Sequence, residues 1–176
     1  FAGLPAHLES EGFDRENIDL PAVQLALIDA VLAANPRTVV VLSNGGAVAL
    51  PFAERVPAIV EAWLLGQAGG SATVDVLYGA VNPSGKLTET IPLSLEDTPA
   101  FLNFPGEQGH VRYGEGLMVG YRGYDERGLE VAYPFGHGLS YTTFAYGDAT
   151  AQVAASGDVT VTVPITNTGS TGGREV

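Results

Sequence analysis

An α/β domain with a mainly parallel sheet, followed by the first strands of an antiparallel β-sandwich, is the fold class this sequence predicts. Three observations carry that expectation. Thr38-Val39-Val40-Val41-Leu42 is a continuous apolar run, the mark of a strand buried on both faces and so of a parallel sheet. Ahead of it, Ala22, Leu25, Ile28 and Leu32 recur at spacings of three and four, one buried stripe of a helix. Beyond residue 150 the texture changes to alternation, with Val159, Val161, Val163 and Ile165 on one face.

The elements follow in order. Seven of the nine residues Glu9-Ser10-Glu11-Gly12-Phe13-Asp14-Arg15-Glu16-Asn17 are polar and show no period, so they read as loop. Pro21 opens the helix, where its missing N–H is harmless at the first position. Asn35-Pro36 stops that helix, and Ser43-Asn44-Gly45-Gly46 ends the first strand with a turn. Residues 58–65 form a second apolar run. Gly66-Gln67-Ala68-Gly69-Gly70 leads from it into a helix over about Ser71 to Tyr78. Helix, strand, strand, Gly-rich loop and helix compose an α/β domain. Val81 to Leu87 is a turn into an extended piece that ends at Ile91-Pro92. Residues 93–140 are rich in Pro, Gly and Tyr and read as a long loop region, of the kind that is functional or packs over a neighbour. Only two strands are visible after Phe144, and two strands alone are marginal in water. The chain therefore reads as begun inside one domain and ended inside the next, with 1–143 as the α/β part and 144–176 as the start of the β-sandwich.

Composition narrows the function. The chain has 176 residues, 45% of them hydrophobic and 16% charged, against about 25% charged in an average globular protein. Its 23 Gly and 11 Pro fall short of a low-complexity signal. The formal charge is −12, and Lys86 is the only lysine. A field of that sign repels phosphate backbones and anionic membrane surfaces, so neither nucleic acid nor membrane is an expected partner. Neutral polar substrates such as sugars are compatible with it. The absence of cysteine excludes disulfides, thiol catalysis and Cys-ligated zinc, and it leaves the compartment unread.

Candidate chemistry is sparse. Glu9 and Glu11 lie two residues apart in the polar loop, so in an extended conformation at most one enters a given pocket. Glycoside hydrolysis needs such a protonated carboxyl to assist the leaving group; a solvated acidic loop is the plainer alternative. Gly66-x-x-Gly69-Gly70-Ser71 before a helix can hold an anion, but it is neither Gly-x-x-x-x-Gly-Lys-Ser/Thr nor Gly-x-Gly-x-x-Gly, and close packing explains it as well. His7, His110 and His137 show no metal-ligand spacing, so no metal is expected. His7, close to the acidic loop, is a candidate for lining a polar site, and His137 reads as a packing residue. No serine has the Gly-x-Ser-x-Gly elbow. Trp63 and the tyrosines, Tyr113 among them, are candidates for stacking on sugar rings, although a lone Trp in an apolar run is more often core.

Several segments together resemble glycoside hydrolase family 3 β-glucosidases. Glu9-Ser10-Glu11-Gly12-Phe13-Asp14-Arg15, running on to Asp19-Leu20-Pro21, is similar to that family's acid/base loop. Ala62 to Gly70, Asp75 to Gly79 and Asn82-Pro83-Ser84-Gly85-Lys86-Leu87 resemble its second domain. Tyr113-x-Glu115-Gly116-Leu117 through Arg122, and Tyr133-Pro134-Phe135-Gly136-His137-Gly138-Leu139-Ser140-Tyr141, resemble its later segments. The resemblance implies a barrel domain followed by an α/β sandwich with Rossmann- or flavodoxin-like layers, then the first strands of a fibronectin type III-like domain. It also implies a retaining double displacement. An Asp on the barrel attacks the anomeric carbon, and a Glu from the sandwich protonates the departing oxygen and then activates water. That Glu falls on Glu9 or Glu11, with Glu9 the first choice; Asp14 and Arg15 are expected to pair and brace the loop. His7 and Tyr113 are the expected substrate contacts. The partners implied are a β-glucoside or related glycoside and the barrel domain; no cofactor is implied, and association with a second copy stays open. Two readings of other classes compete, a non-catalytic carbohydrate-binding or scaffold module and a nucleotide-binding domain using the Gly66–Ser71 loop.

Overall fold

The computed structural model describes residues 1–176. Three parallel strands form one sheet in the order β1–β2–β3: β1 (Ala2–Gly3), β2 (Val39–Ser43) and β3 (Ala58–Glu61). Residue 2 pairs with 42 across the first interface, and 39 with 58 across the second. The central strand carries the longest apolar run, and Val40, Val41 and Leu42 are all buried. A central parallel strand has no face left for water, which is why its sequence does not alternate.

Helix α1 (Ala22–Ala34) packs on this sheet through Leu25, Ile28 and Leu32, while Ala22 is exposed. Pro21 sits one position earlier than expected, at the cap, with φ −51° and ψ 134°. The fixed ring torsion suits the entry, and the helix starts at the next residue. Asn35 closes it in an extended conformation, as Asn before Pro requires. The core gathers Leu20, Ile28, Val40, Leu42, Val48 and Phe52 between helix, sheet and the segment after β2.

The second apolar run is shorter as a strand than its sequence suggests. β3 ends at Glu61, and Trp63 has φ +51°, a backbone turn that no strand tolerates. Leu64 beyond it is 69% exposed. Helix α2 (Gly69–Leu77) begins two residues before the expected Ser71. Residues 93–140 are not uniformly loop. They contain a 3₁₀ turn at Leu95–Asp97 and a third helix, α3 (Tyr121–Arg127), closed by Gly128 in the left-handed conformation. Ile91 and Tyr133 form an isolated antiparallel bridge, so the extended piece ending there is tied by one pair rather than a ladder.

The chain divides into two compact units, one comprising 1–69 and 87–137 and the other 70–86 and 138–176. The second unit holds four short strands: β4 (Phe144–Tyr146), β5 (Thr150–Val153), β6 (Val159–Thr162) and β7 (Ile165–Asn167). They pair antiparallel as β4–β7 and β5–β6. Two strands more are present than the sequence alone shows, because β4 and β7 have only three residues each, too few to display a period. No helix is long and apolar enough to cross a membrane.

Candidate active site: carboxylates at the ends of three parallel strands

Parallel strands all point one way, so the loops that leave their carboxyl ends gather at one edge of the sheet, the usual place for a site in such folds. Here three glutamates gather, one on a loop, one at a strand end and one from a later segment. The chain leaving β1 carries Glu9. The chain leaving β2 makes the turn Asn44-Gly45-Gly46-Ala47. Glu61 is the last residue of β3, and Trp63 follows it. Glu89 arrives from the extended segment after residue 87.

The turn after β2 is the hub. Gly45 N–H donates to Glu9 Oε2 at 2.7 Å, and Gly46 N–H donates to Glu9 Oε1 at 3.1 Å. Arg15 Nη2 donates to the Ala47 carbonyl at 3.1 Å. Asn44, 0% exposed, donates from Nδ2 to the Gly46 carbonyl at 2.9 Å and to Glu61 Oε2 at 3.3 Å. Trp63 N–H donates to Glu61 Oε1 at 2.9 Å. The two glycines leave this approach unobstructed. A Cβ at residue 45 would lie 3.2 Å from the Glu9 carboxyl, and one at 46 would lie 3.2 Å from Arg15 Nη2.

Burial pushes the Glu61 carboxyl above its ordinary value; the hydrogen bonds from Trp63 and Asn44 oppose this, and the charges of Glu89 and Glu9 add to it. Glu89 is also raised by burial, against a backbone hydrogen bond from Ala47 and the positive charge of Arg15. Beside them Gly45, Trp63, Leu64, Thr88 and Glu89 line an open cavity of about 310 Å³. Acid groups held above their usual range beside a cavity are a feature of reactive sites, and structural networks share it. The carboxylates do not compose a metal-ligating set.

The residues singled out in the sequence have different fates. Glu9 is half-buried and anchored; Glu11 is exposed, and its carboxyl has no hydrogen-bond partner within the chain. Asp14 and Arg15 do not pair. Asp14 is exposed, and Arg15 turns instead to the Ala47 carbonyl and the field of Glu89, with Nη2 bonded and Nη1 buried without a partner. His7 is exposed and Tyr113 is 80% exposed, and neither side chain bonds to the carboxylate cluster. His137 packs against Tyr133 with the rings tilted by 35° and their centroids 4.9 Å apart, a packing role. Trp63 is half-buried at the cavity, not in the core. Sequence reasoning missed Asn44, Glu61 and Glu89. The available signal was Glu61 itself, a charge at the end of an apolar strand.

A parallel α/β domain with carboxylates gathered at its strand ends has the architecture in which sites commonly form. Residues 1–141 match the glycosyl hydrolase family 3 C-terminal domain, and the chain belongs to that family. It is 53% identical over 96% of its length to an exo-α-(1→6)-L-arabinopyranosidase of Bifidobacterium longum, of which it covers 22%. It is 50% identical over its whole length to the thermostable β-glucosidase B of Acetivibrio thermocellus, covering 24%. Among solved structures it superposes on the Bifidobacterium adolescentis family 3 β-glucosidase with a TM-score of 0.90 and 53% identity, over 96% of this chain and 25% of that one. The Kluyveromyces marxianus β-glucosidase in complex with glucose gives 0.91 and 48%, over 97% and 20%. The chain thus spans about a quarter or less of the length of these relatives.

Proposed function

We propose that this chain supplies the general acid/base of a retaining, exo-acting β-glycosidase, and that Glu11 is the residue. The nucleophilic Asp belongs to a barrel domain. Glu11 protonates the departing glycosidic oxygen, and its carboxylate then takes a proton from the water that hydrolyses the glycosyl-enzyme. In such a site the two carboxyls stand about 5–5.5 Å apart.

One observation supports Glu11 over Glu9, reversing the preference drawn from the motif. A general acid carries its proton on an oxygen that reaches the leaving group. Both Glu9 oxygens already accept from the Gly45 and Gly46 N–H groups, so its carboxyl is committed to that turn. Glu11 has no such engagement and stands exposed on the loop. The substrate class is a glycoside with a terminal pyranosyl residue. Relatives named for β-glucoside and for α-L-arabinopyranoside cleavage both fit, since the sugar contacts fall mostly on the barrel.

The test uses the full-length enzyme. Glu11→Ala should slow glycosides with poor leaving groups far more than 2,4-dinitrophenyl glycosides, whose departure needs no proton. Added azide should restore turnover of the activated substrate and yield a β-glycosyl azide. The same pattern in Glu9→Ala, with Glu11→Ala near parental, would return the role to Glu9.

A further inference from the structure

We infer that Glu9 and Arg15 are positioning residues, two posts that pin the acid/base loop on either side of Glu11; the inference rests on the reading of Glu11 just given. Glu9 binds the backbone of Gly45 and Gly46, and Arg15 binds the next residue, Ala47. Residues six apart in the loop are therefore fastened to three consecutive residues of one turn. Between the posts, Ser10 to Asp14 are all exposed and form a short hoop with Glu11 near its crest.

The hoop has little freedom. Glu11 is two residues from Glu9, so its Cα stays within about 7 Å of that post. Gly12, at φ +97°, reverses the chain immediately after Glu11 and turns it back toward Arg15.

The posts are themselves seated. Asn44, fully buried, grips the Gly46 carbonyl and so holds the turn that receives them. On the loop side, Leu8 N–H and Glu9 N–H both donate to the Pro5 carbonyl, at 2.8 and 3.1 Å, which fixes the backbone that presents Glu9. A Cβ added at 45 would crowd Leu64 and the Glu9 carboxyl, and one at 46 would crowd the Arg15 guanidinium. An acid that must meet the leaving-group oxygen within hydrogen-bond reach gains its rate from such fixation, and a misplacement of about 1 Å costs on the order of a hundredfold.

In the full-length enzyme, Glu9→Gln replaces one acceptor with an NH₂ that faces a backbone N–H, and Arg15→Met removes the other post. Each should lower kcat for a poor-leaving-group glycoside by about 10- to 100-fold, with KM little changed and the 2,4-dinitrophenyl glycoside little affected. The basic limb of the pH profile should stay where it is in the parent, and azide should not rescue, because Glu11 is still present. Gly45→Ala keeps every functional group but presses on Leu64 Cδ1 at 3.1 Å and on the Glu9 carboxyl at 3.2 Å. It should give a smaller loss of the same kind, non-additive with Glu9→Gln, and it carries the test if Glu9→Gln does not fold. Parental kcat on the poor leaving group in folded Glu9→Gln and Arg15→Met, or in folded Gly45→Ala where Glu9→Gln does not fold, overturns the clamp and leaves the role of Glu11 standing. Loss of the basic limb with azide rescue in Glu9→Gln makes Glu9 the proton donor and overturns both readings.

Discussion

Asn44 Nδ2 lies 3.3 Å from Glu61 Oε2, joining the turn after the central strand to the last residue of its neighbour inside a site where Asn44 has no exposed surface. The same NH₂ group holds the Gly46 carbonyl, so one amide organises both the hub turn and a carboxylate. Removing it strands two acceptors at once. Asn44→Ala should cost about 1–3 kcal/mol, the penalty of unsatisfied buried groups. Asn44→Asp should be worse at pH 7, because it sets a second carboxylate against Glu61 and against the Gly46 carbonyl. Its deficit should shrink toward pH 4 as the pair takes up a proton. Thermal melts of both variants of the full-length enzyme across that range check the order and its narrowing.

Glu61 gives a pH dependence with a definite sign. Burial raises its folded-state value above the unfolded one, so folding favours the protonated form. Its contribution is full below the ordinary carboxylate range and is lost as pH rises through the raised folded value. Glu89 is shifted the same way and adds to the trend. Glu61→Gln cannot ionise. The variant should therefore gain on the parent as pH climbs from about 4 to 7, by about 1 kcal/mol or less, since Glu61 keeps some contact with solvent. Melting temperatures of parent and variant, measured side by side, read this directly. A gap that stays constant with pH would show that Glu61 does not bear the cost of a buried charge.

Helix α3 shows why part of the fold was hidden. Its seven residues lie between Gly120 and Gly128 and include Gly123, a poor helix former, so neither propensity nor period marks it. Packing decides instead. A Cβ at residue 123 would meet the Met118 carbonyl oxygen at 2.6 Å and Pro99 Cγ at 2.7 Å, so the helix approaches its neighbours only through a glycine. Gly123→Ala should destabilise by about 1–3 kcal/mol through overpacking despite raising helix propensity. Denaturant titration distinguishes the two, because propensity alone predicts a gain. The site divides in the same way. The Glu9–Arg15 loop is local and legible as a motif, β2 declares itself by its unbroken apolar run and α1 by its period. Asn44, Glu61 and Glu89 carry no local pattern. Asn44 and Glu61 meet because β2 and β3 run parallel and end at one edge, a relation that becomes visible once the register of 39 with 58 is known, and Glu89 joins them from a segment outside the sheet. The motif contains both Glu9 and Glu11 and favours Glu9; the bonds that Glu9 accepts from the Gly45 and Gly46 amides are a non-local relation that the motif does not carry.

The Asn82-Pro83-Ser84-Gly85-Lys86 segment drew notice as a family signature, and its structural work lies within the second unit. Asn82 Oδ1 accepts from Tyr141 N–H at 2.7 Å and from Ser140 Oγ at 3.0 Å, while its Nδ2 donates to the Gly172 carbonyl at 2.9 Å. One side chain thus ties together two segments far apart in sequence. Asn82→Ala loses all three bonds and should cost about 1–3 kcal/mol. Asn82→Asp retains both accepting bonds and loses only the donation to Gly172, so it should be the milder change. Hydrogen exchange of the full-length enzyme locates the effect. Lys86 Nζ still donates to the Gly138 carbonyl at 2.9 Å, and the Tyr141 hydroxyl still donates to the Val76 carbonyl at 2.8 Å, so the unit should stay assembled. Protection should fall chiefly at the amide of Tyr141, in Asn82→Ala and hardly in Asn82→Asp, with the amides of β2 unchanged. Equal loss in both variants would mean that the bond to Gly172, rather than the pair at Ser140 and Tyr141, holds the segment in place.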